Sequence, residues 1–393
     1  MTPAARVQTA IELLDAIIAA ARGKGAPADR ILAEWFRANR FAGSKDRRAI
    51  RELVYRTIRA CGPVPASGRG AMLRLAETDP AIPPLFDGSQ YGPAPIDAGE
   101  EPAAGGVAPD WLVERLARSG VEGERAEALL GRAPLDLRVN ALKAERATLD
   151  LPEPAEPTAA PHGLRVATGT AVERWPQWAD GLIEVQDTGS QLACLALAAQ
   201  PGETVVDLCA GGGGKTLALA AAMDNQGRLI AADTDRNRLS RLAPRAERAG
   251  ASLIETRLLD PGRELEALGD LAGLADAVLV DAPCSGTGTW RRNPEARWRL
   301  DETELARLAQ LQAHILDLAV ALLKPGGRLV YVTCTLLDAE GADQFEALLA
   351  RHPQLAAQPL ALSLGRERGQ GTRLTPLHDG TDGFFIACAA SAC

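Results

Sequence analysis

The chain has 393 residues, 46% hydrophobic and 24% charged, with a net charge of −8. That is the balance of an ordinary globular protein with room for two or three domains. The sequence contains no run of about 18 uncharged apolar residues, which argues against a membrane-spanning segment. Its seven cysteines are scattered without a CxxC pair and its four histidines stand apart, so neither a disulfide framework nor a metal site is expected. Glu12 and Asp15 interrupt the first apolar stretch, which argues against a secretory leader; the expected location is the cytoplasm.

Residues 1–70 hold 13 Lys/Arg against 6 Asp/Glu, a local charge of +7 that leaves −15 on the rest. A basic module joined to an acidic one can bind phosphates despite a negative total; solvated helix faces are the alternative reading of the same arginines. The segment reads as amphipathic helices at 7–20, 28–39 and 45–60, with Asp29 and Ser44 as helix starts. A short helix near 71–77 and a Pro/Gly/Ala-rich connector over 80–106 follow. Helices at 111–120 and 123–132, a strand at 136–142, a loop over 151–163 and strands at 163–168 and 181–187 suit a small α+β domain.

From residue 190 the order becomes regular. Strands at 204–210, 228–233, 252–260, 276–283, 328–335 and 383–389 alternate with helices at 190–199, 215–223, 236–250, 263–269, 302–323 and 339–351. This predicts an α/β fold with a doubly wound, mostly parallel sheet. The expected domains are 1–106, 107–180 and 181–393. Such sheets bind ligands beyond the C-terminal strand ends, where the strand order reverses. Cys209, Asp233, Asp260, Asp281, Cys284 and Cys334 all fall at those ends.

The turn DLCAGGGGKT, residues 207–216, is neither of two familiar phosphate loops. A P-loop would need glycine at Cys209, and the dinucleotide pattern begun at Gly211 would need glycine at Thr216. Four consecutive glycines still let backbone approach a ligand closely. Asp233, at the end of the next strand, suits ribose hydroxyls, with Asp235 the weaker candidate. A nucleoside-bearing cofactor without a phosphate cradle fits S-adenosyl-L-methionine better than a nucleotide. A turn serving backbone geometry alone is the alternative.

DAPCSGTG, residues 281–288, and RLVYVTCTL, residues 328–336, set Cys284 and Cys334 at two strand ends. Carbon 5 of a pyrimidine is too weak a nucleophile to take a methyl group from a sulfonium unaided. A thiolate added at carbon 6 turns it into an enamine-like nucleophile. An acid near ring nitrogen 3 helps where charge develops. The chemistry therefore needs one cysteine, one carboxyl group and a cofactor pocket, and a second cysteine can assist release.

These stretches, with RRNPEARW at 291–298, VQDTGSQL at 185–192 and DGFFIA at 382–387, together resemble the RNA cytosine carbon-5 methyltransferases of the Sun/Fmu/RsmB type, over essentially the whole chain. The resemblance implies a Rossmann-like S-adenosylmethionine-dependent methyltransferase sheet, preceded by an all-α NusB-like RNA-binding domain and a small RRM-like domain. It implies methyl transfer to a cytosine of RNA, foremost 16S rRNA. Cysteine spacing and hydropathy point to no metal and no membrane, and the oligomeric state is open, with nothing in the sequence that demands a dimer. Cys334, in the TC[ST] motif, matches the nucleophile, and Cys284, in DAPCS, the residue that aids product release. Asp281 matches the carboxylate facing cofactor and base. Cofactor contacts map onto Cys209, Ala210, Gly211, Gly212, Gly213, Gly214, Lys215, Asp233, Asp260 and Asp281, with Asp260 the loosest match. Beside the cofactor, Lys215 can also favour the Cys334 thiolate. Arg291, Arg292, Arg297 and Arg299 form a basic cluster suited to RNA phosphates or to a solvated loop. The family turn commonly reads CAAPGGK, so Gly211 and Gly212 replace Ala-Pro and cost loop rigidity; Thr335 replaces the more frequent serine. Two rivals stay open: a DNA cytosine-5 methyltransferase with Cys284 as nucleophile, and a non-catalytic NusB-like RNA-binding factor.

Overall fold

The computed structural model describes residues 1–23 and 25–392, which form two compact units. One comprises Met1–Gly131 with Thr289–Asp301; the other comprises Arg132–Gly288 and the chain from Glu302 onward.

The first unit is a helical bundle of α1 (Pro3–Arg22), α2 (Ala28–Ala38), α3 (Ser44–Ala60), α4 (Gly68–Ala76) and α5 (Asp110–Arg118). Thr2 caps α1 by accepting from the Ala5 amide at 3.1 Å, with proline at the first helical position. Val7, Ala10, Leu14 and Ile17 of α1 are fully buried among Leu32, Ile50, Val54, Ile58 and Met72. On α3 the buried positions 50, 54, 57 and 58, apolar except for Thr57, recur at helical spacing, which turns Arg48 and Arg51 outward. Pro27, not Asp29, precedes α2, and Asp29 sits in its first turn; Ser44 opens α3 after Gly43. The connector packs Ile82 and Phe86 into the same core. The helical turns over 110–130, grouped with the small sheet in the sequence, fall in this unit, as does Thr289–Asp301.

That last segment corrects the expected RNA-binding cluster. Arg297 is completely buried and donates to Ile58 O at 2.7 Å, to Cys61 O at 2.6 Å and to Pro294 O. Trp298 Nε1 donates to Gly62 O at 3.1 Å, and Glu295 accepts from the Ala28 amide at 3.0 Å. Arg299 donates to Gly25 O at 2.8 Å and Ala26 O at 2.6 Å. Arg291 is buried, and Arg292 is half-buried. Carbonyls at a helix end need donors, and a forked guanidinium supplies several at once. Arg297 and Arg299 therefore serve the bundle rather than a phosphate surface, and Arg291 is buried.

The second unit holds two sheets. β1 (Leu135–Val139), β2 (Glu156–Pro157), β3 (Gly163–Val166) and β4 (Ile183–Val185) form an antiparallel sheet of order β2-β3-β1-β4. The large sheet contains β5 (Thr204–Asp207), β6 (Arg228–Asp233), β7 (Ile254–Leu258), β8 (Ala275–Asp281), β9 (Leu323–Thr333), β10 (Leu355–Gln358), β11 (Arg366–Arg368), β12 (Gly371–Leu374) and β13 (Phe384–Ser391). Its order is β11-β12-β13-β9-β8-β5-β6-β7, with β10 on β13. The strands from β7 to β9 are parallel, and those beyond are antiparallel. Val278, Leu279 and Val280, like Leu329 to Val332, are fully buried, as strands covered on both faces require. The expected helix over 236–250 divides into Arg236–Leu239 and Leu242–Ala249, because the ring of Pro244 blocks the carbonyl four residues earlier.

Helix Glu302–Leu322 is long and apolar enough to cross a membrane by length and composition. It nevertheless buries Leu316, Ala319 and Leu322 completely in the core beneath the sheet. The strand order reverses at β5, with β6 and β7 on one side and β8 and β9 on the other. The crevice expected of such a sheet therefore opens beyond β5 and β8.

Candidate active site

The glycine turn leaves β5 at this reversal. Gly211 and Gly213 hold φ of 54° and 84°, a region that favours glycine, and a Cβ on Gly213 would lie 2.1 Å from Leu242 Cδ1. The Gly211 amide donates to Asp233 Oδ2 at 2.8 Å, and Asp233 Oδ1 accepts from the Asp235 amide at 2.7 Å. Each oxygen keeps a lone pair for a further donor, which suits a ribose diol. Arg245 donates to Gly212 O, and Arg138 Nη1 donates to Gly214 O at 3.1 Å. These guanidiniums restrain the turn that lacks the family's proline. Cys209, Ala210 and the four glycines thus present backbone beside Asp233. Asp260, beyond β7, is exposed, with its carboxylate 3.6 Å from Arg263.

Asp207 closes β5 and is fully buried. Its Oδ2 accepts from Thr216 Oγ1 at 2.7 Å, while Oδ1 has no hydrogen-bond partner among the described residues. Burial, with Asp281 nearby, pushes its carboxyl up to about 7 despite the Thr216 hydrogen bond. The folded state thus binds this proton more tightly than the unfolded chain does, whose value is 3.8. The associated stability is complete below that value and is lost as pH rises through about 7. We predict that Asp207→Asn removes this component. In thermal melts from pH 4 to 8, the variant gains on wild type with rising pH, by up to about 4 kcal/mol.

The two thiols meet. β8 and β9 are parallel neighbours, with Asp281 opposite Val332, and the loops that leave them bring Cys284 Sγ to 3.4 Å from Cys334 Sγ. The Cys334 neighbour and burial push the Cys284 thiol well up. Two thiolates at this separation would repel strongly, so Cys284 keeps its proton. Lys215 Nζ stands 2.6 Å from Asp281 Oδ2 and 5.8 Å from the centre of the Phe384 ring. Burial works against the ammonium, but Asp281, Cys194 and Cys334 together hold it above its usual value. A lasting positive charge therefore lies within electrostatic reach of the Cys334 sulfur. Burial and the carboxylates of Asp281, Asp207 and Asp233 push the Cys209 thiol up, which keeps it protonated. Among the described residues, no group of three or more His, Cys, Asp and Glu side chains is arranged to hold a metal.

Comparison with known proteins fits this arrangement. Residues 194–389 match the family model for the 16S rRNA methyltransferase RsmB/F. The chain is 38% identical over 300 residues to a probable ribosomal RNA small subunit methyltransferase B of Synechocystis, covering 71% of this chain and 66% of that protein. The chain belongs to the RsmB/F family. It is also 38% identical over 290 residues to ribosomal RNA small subunit methyltransferase B of Salmonella typhi, covering 71% and 65%. The match thus spans just under two thirds of these relatives' length. The crystal structure of PH0851, 26% identical, superposes with a TM-score of 0.75 over 99% of both chains.

This RsmB/F chain fixes its two cysteine loops with a residue that sequence reasoning passed over. Glu340, 1% exposed, accepts from the Ser285 amide at 2.8 Å, from Ser285 Oγ, from Thr335 Oγ1 at 3.0 Å and from Gln312 Nε2 at 3.1 Å. Ser285 follows Cys284 and Thr335 follows Cys334, so one carboxylate ties both motifs. Thr287 Oγ1 lies 3.0 Å from Thr335 Oγ1, and the Gly288 amide donates to Cys334 O at 3.0 Å. The hydroxyls beside each cysteine were the available signal; the acid they converge on lies in a turn with no motif of its own.

Proposed function

We propose that this protein transfers a methyl group from S-adenosyl-L-methionine to carbon 5 of a cytosine in RNA, through a covalent bond between Cys334 and carbon 6. The observation that carries this reading is the pair of sulfurs 3.4 Å apart at neighbouring parallel strand ends, with Lys215 bridged to Asp281 beside them. Cys334 adds to carbon 6, and the electrons of the double bond make carbon 5 nucleophilic. The cofactor, held along the glycine turn and Asp233, supplies the methyl sulfonium. Asp281, steadied by Lys215, faces the base where charge develops near ring nitrogen 3. A base such as water then takes the carbon 5 proton, the electron pair re-forms the carbon 5–carbon 6 double bond as the sulfur–carbon 6 bond breaks, and Cys284 assists by giving a proton to the departing Cys334 thiolate. The target base must be unpaired or flipped, because carbon 6 is shielded within a stack.

The relatives' names point to small-subunit ribosomal RNA as the substrate, and the basic helical unit suits RNA phosphates. We place the enzyme in the cytoplasm, acting as a monomer. The test is incubation with methyl-labelled S-adenosyl-L-methionine and either 16S rRNA, free or in the small ribosomal subunit, or duplex DNA. Bisulfite sequencing then locates the product. Label on one or a few rRNA cytosines is expected. Label on DNA alone, or none on either nucleic acid, overturns the reading.

A further inference from the structure

The two facing thiols of the second unit can react with each other as well as with a base. Cys284 Sγ and Cys334 Sγ lie 3.4 Å apart, and closing that gap to an S–S bond of about 2 Å takes about 1.4 Å of movement. The movement is shared between a loop residue beyond β8 and a residue at the end of β9. Glu340 ties both loops through Ser285 and Thr335, so the sulfurs meet without a search. Both cysteines are partly exposed, whereas Cys61, Cys194 and Cys388 are buried, with their thiols pushed by burial up to about 11. Cys209 is partly exposed, but its thiol is pushed well up and stays protonated. Cys334 combines access from solvent with the Lys215 ammonium within electrostatic reach, the surroundings in which a thiol meets oxidants as a thiolate.

We propose that Cys284 and Cys334 close to a reversible disulfide when a hydroperoxide reaches the site, with Cys334 oxidised first and Cys284 as the resolving thiol. The Cys334 thiolate takes one oxygen of hydrogen peroxide as the O–O bond breaks, giving a sulfenic acid, and the released hydroxide is protonated to water. The Cys284 sulfur gives up its proton, attacks the sulfenic sulfur and displaces a second water. In sum, two thiols lose two hydrogens and one hydrogen peroxide becomes two waters. Contact with Cys334 is the first cause of the raised Cys284 thiol. Turning that neighbour into a neutral sulfenic acid removes the thiolate beside it, so Cys284 is freed to ionise at the step that needs it. A sulfur held in a disulfide cannot add to carbon 6, and the oxidised protein is inactive until a thiol reduces it. Disulfides in reducing compartments are mostly of this transient kind. The loss of methyl transfer rests on the reading above; the disulfide itself does not.

The experiment treats the full chain with hydrogen peroxide, blocks the remaining thiols with N-ethylmaleimide, and maps the digested protein by mass spectrometry without reductant. A peptide pair joining Cys284 to Cys334 is expected, lighter by two hydrogens than its parts. Methyl incorporation into 16S rRNA falls about tenfold or more in the oxidised protein, and dithiothreitol returns it to within about twofold of the start. In Cys284→Ser, which has no resolving thiol, the same peroxide carries Cys334 on to a sulfinic acid that dithiothreitol does not reverse; Cys284→Ala serves if that variant fails to fold. Wild-type Cys334 oxidised straight to the sulfinic acid, or both cysteines still open to alkylation, overturns the disulfide. A Cys334 restored as readily in both variants as in wild type overturns the role of Cys284. A cross-link that leaves methyl transfer at its starting rate overturns Cys334 as the nucleophile while upholding the disulfide. A chain that cross-links but methylates no RNA even when reduced refutes the methyl-transfer reading and likewise upholds the disulfide.

Discussion

Cys334→Ala abolishes methyl transfer, by on the order of 10⁴-fold or more as expected for loss of a nucleophile, whereas Cys284→Ala traps a covalent protein–RNA adduct. Both sulfurs are close enough to reach one base, so distance alone does not assign their roles. Their surroundings divide the work. The Cys284 thiol is pushed well up by its neighbour and by burial, so it is the partner that retains a proton. A group that stays protonated is a poor nucleophile and a ready source of a proton for a departing thiolate. Cys334 follows directly on the buried end of β9, its carbonyl is held by the Gly288 amide, and the Lys215 charge is within reach. Labelled methyl incorporation and a denaturing gel of the protein–RNA mixture read both outcomes. A DNA-type enzyme reverses them: Cys284→Ala is then inactive and Cys334→Ala retains activity.

The sequence made the cysteines legible because each sits at the end of an apolar run, followed by small hydroxyl residues. The parallel sheet was legible for a related reason: its strands are buried on both faces and read as continuous apolar segments. The short strands β10, β11 and β12 carry no such run. β11 reads Arg-Glu-Arg and is mostly exposed, so its pairing is set by the β12 neighbour rather than by its own pattern. The carbonyl contacts of Arg297 and Arg299 were not legible because charge clustering carries no record of which carbonyls lack donors. Ile58 O and Cys61 O lie more than 230 residues away in sequence from the Arg297 that binds them. Glu340 was invisible on the same grounds. Its donors come from positions 285, 312 and 335, and only the folded chain brings them to one carboxylate.

That convergence makes Glu340→Ala the substitution of next largest effect. It removes the shared acceptor of the Ser285 amide, Ser285 Oγ, Thr335 Oγ1 and Gln312 Nε2 in a site that water scarcely reaches, although Gln312 Nε2 keeps Pro283 O and the two hydroxyls, 3.0 Å apart, can still bond each other. An orphaned buried donor costs about 1–3 kcal/mol, and members of one network do not add fully. A net loss of about 3–5 kcal/mol is therefore expected in urea denaturation, in the range for breaking a buried charged network. The catalytic loss is separate from the loss of stability. Without the carboxylate, the loops carrying Cys284 and Cys334 are no longer tied through Ser285 and Thr335, and a misplacement of about 1 Å costs on the order of 10²-fold in rate. Measured well below the variant's melting temperature, kcat should fall while KM for S-adenosyl-L-methionine stays near its wild-type value, because the glycine turn makes none of these bonds. Glu340→Gln keeps one acceptor oxygen but places an amide donor against other donors, so its rate and stability should fall between the two. A wild-type kcat in Glu340→Ala would show that the backbone alone sets the approach of the two sulfurs, and that the carboxylate serves only the packing of the turn.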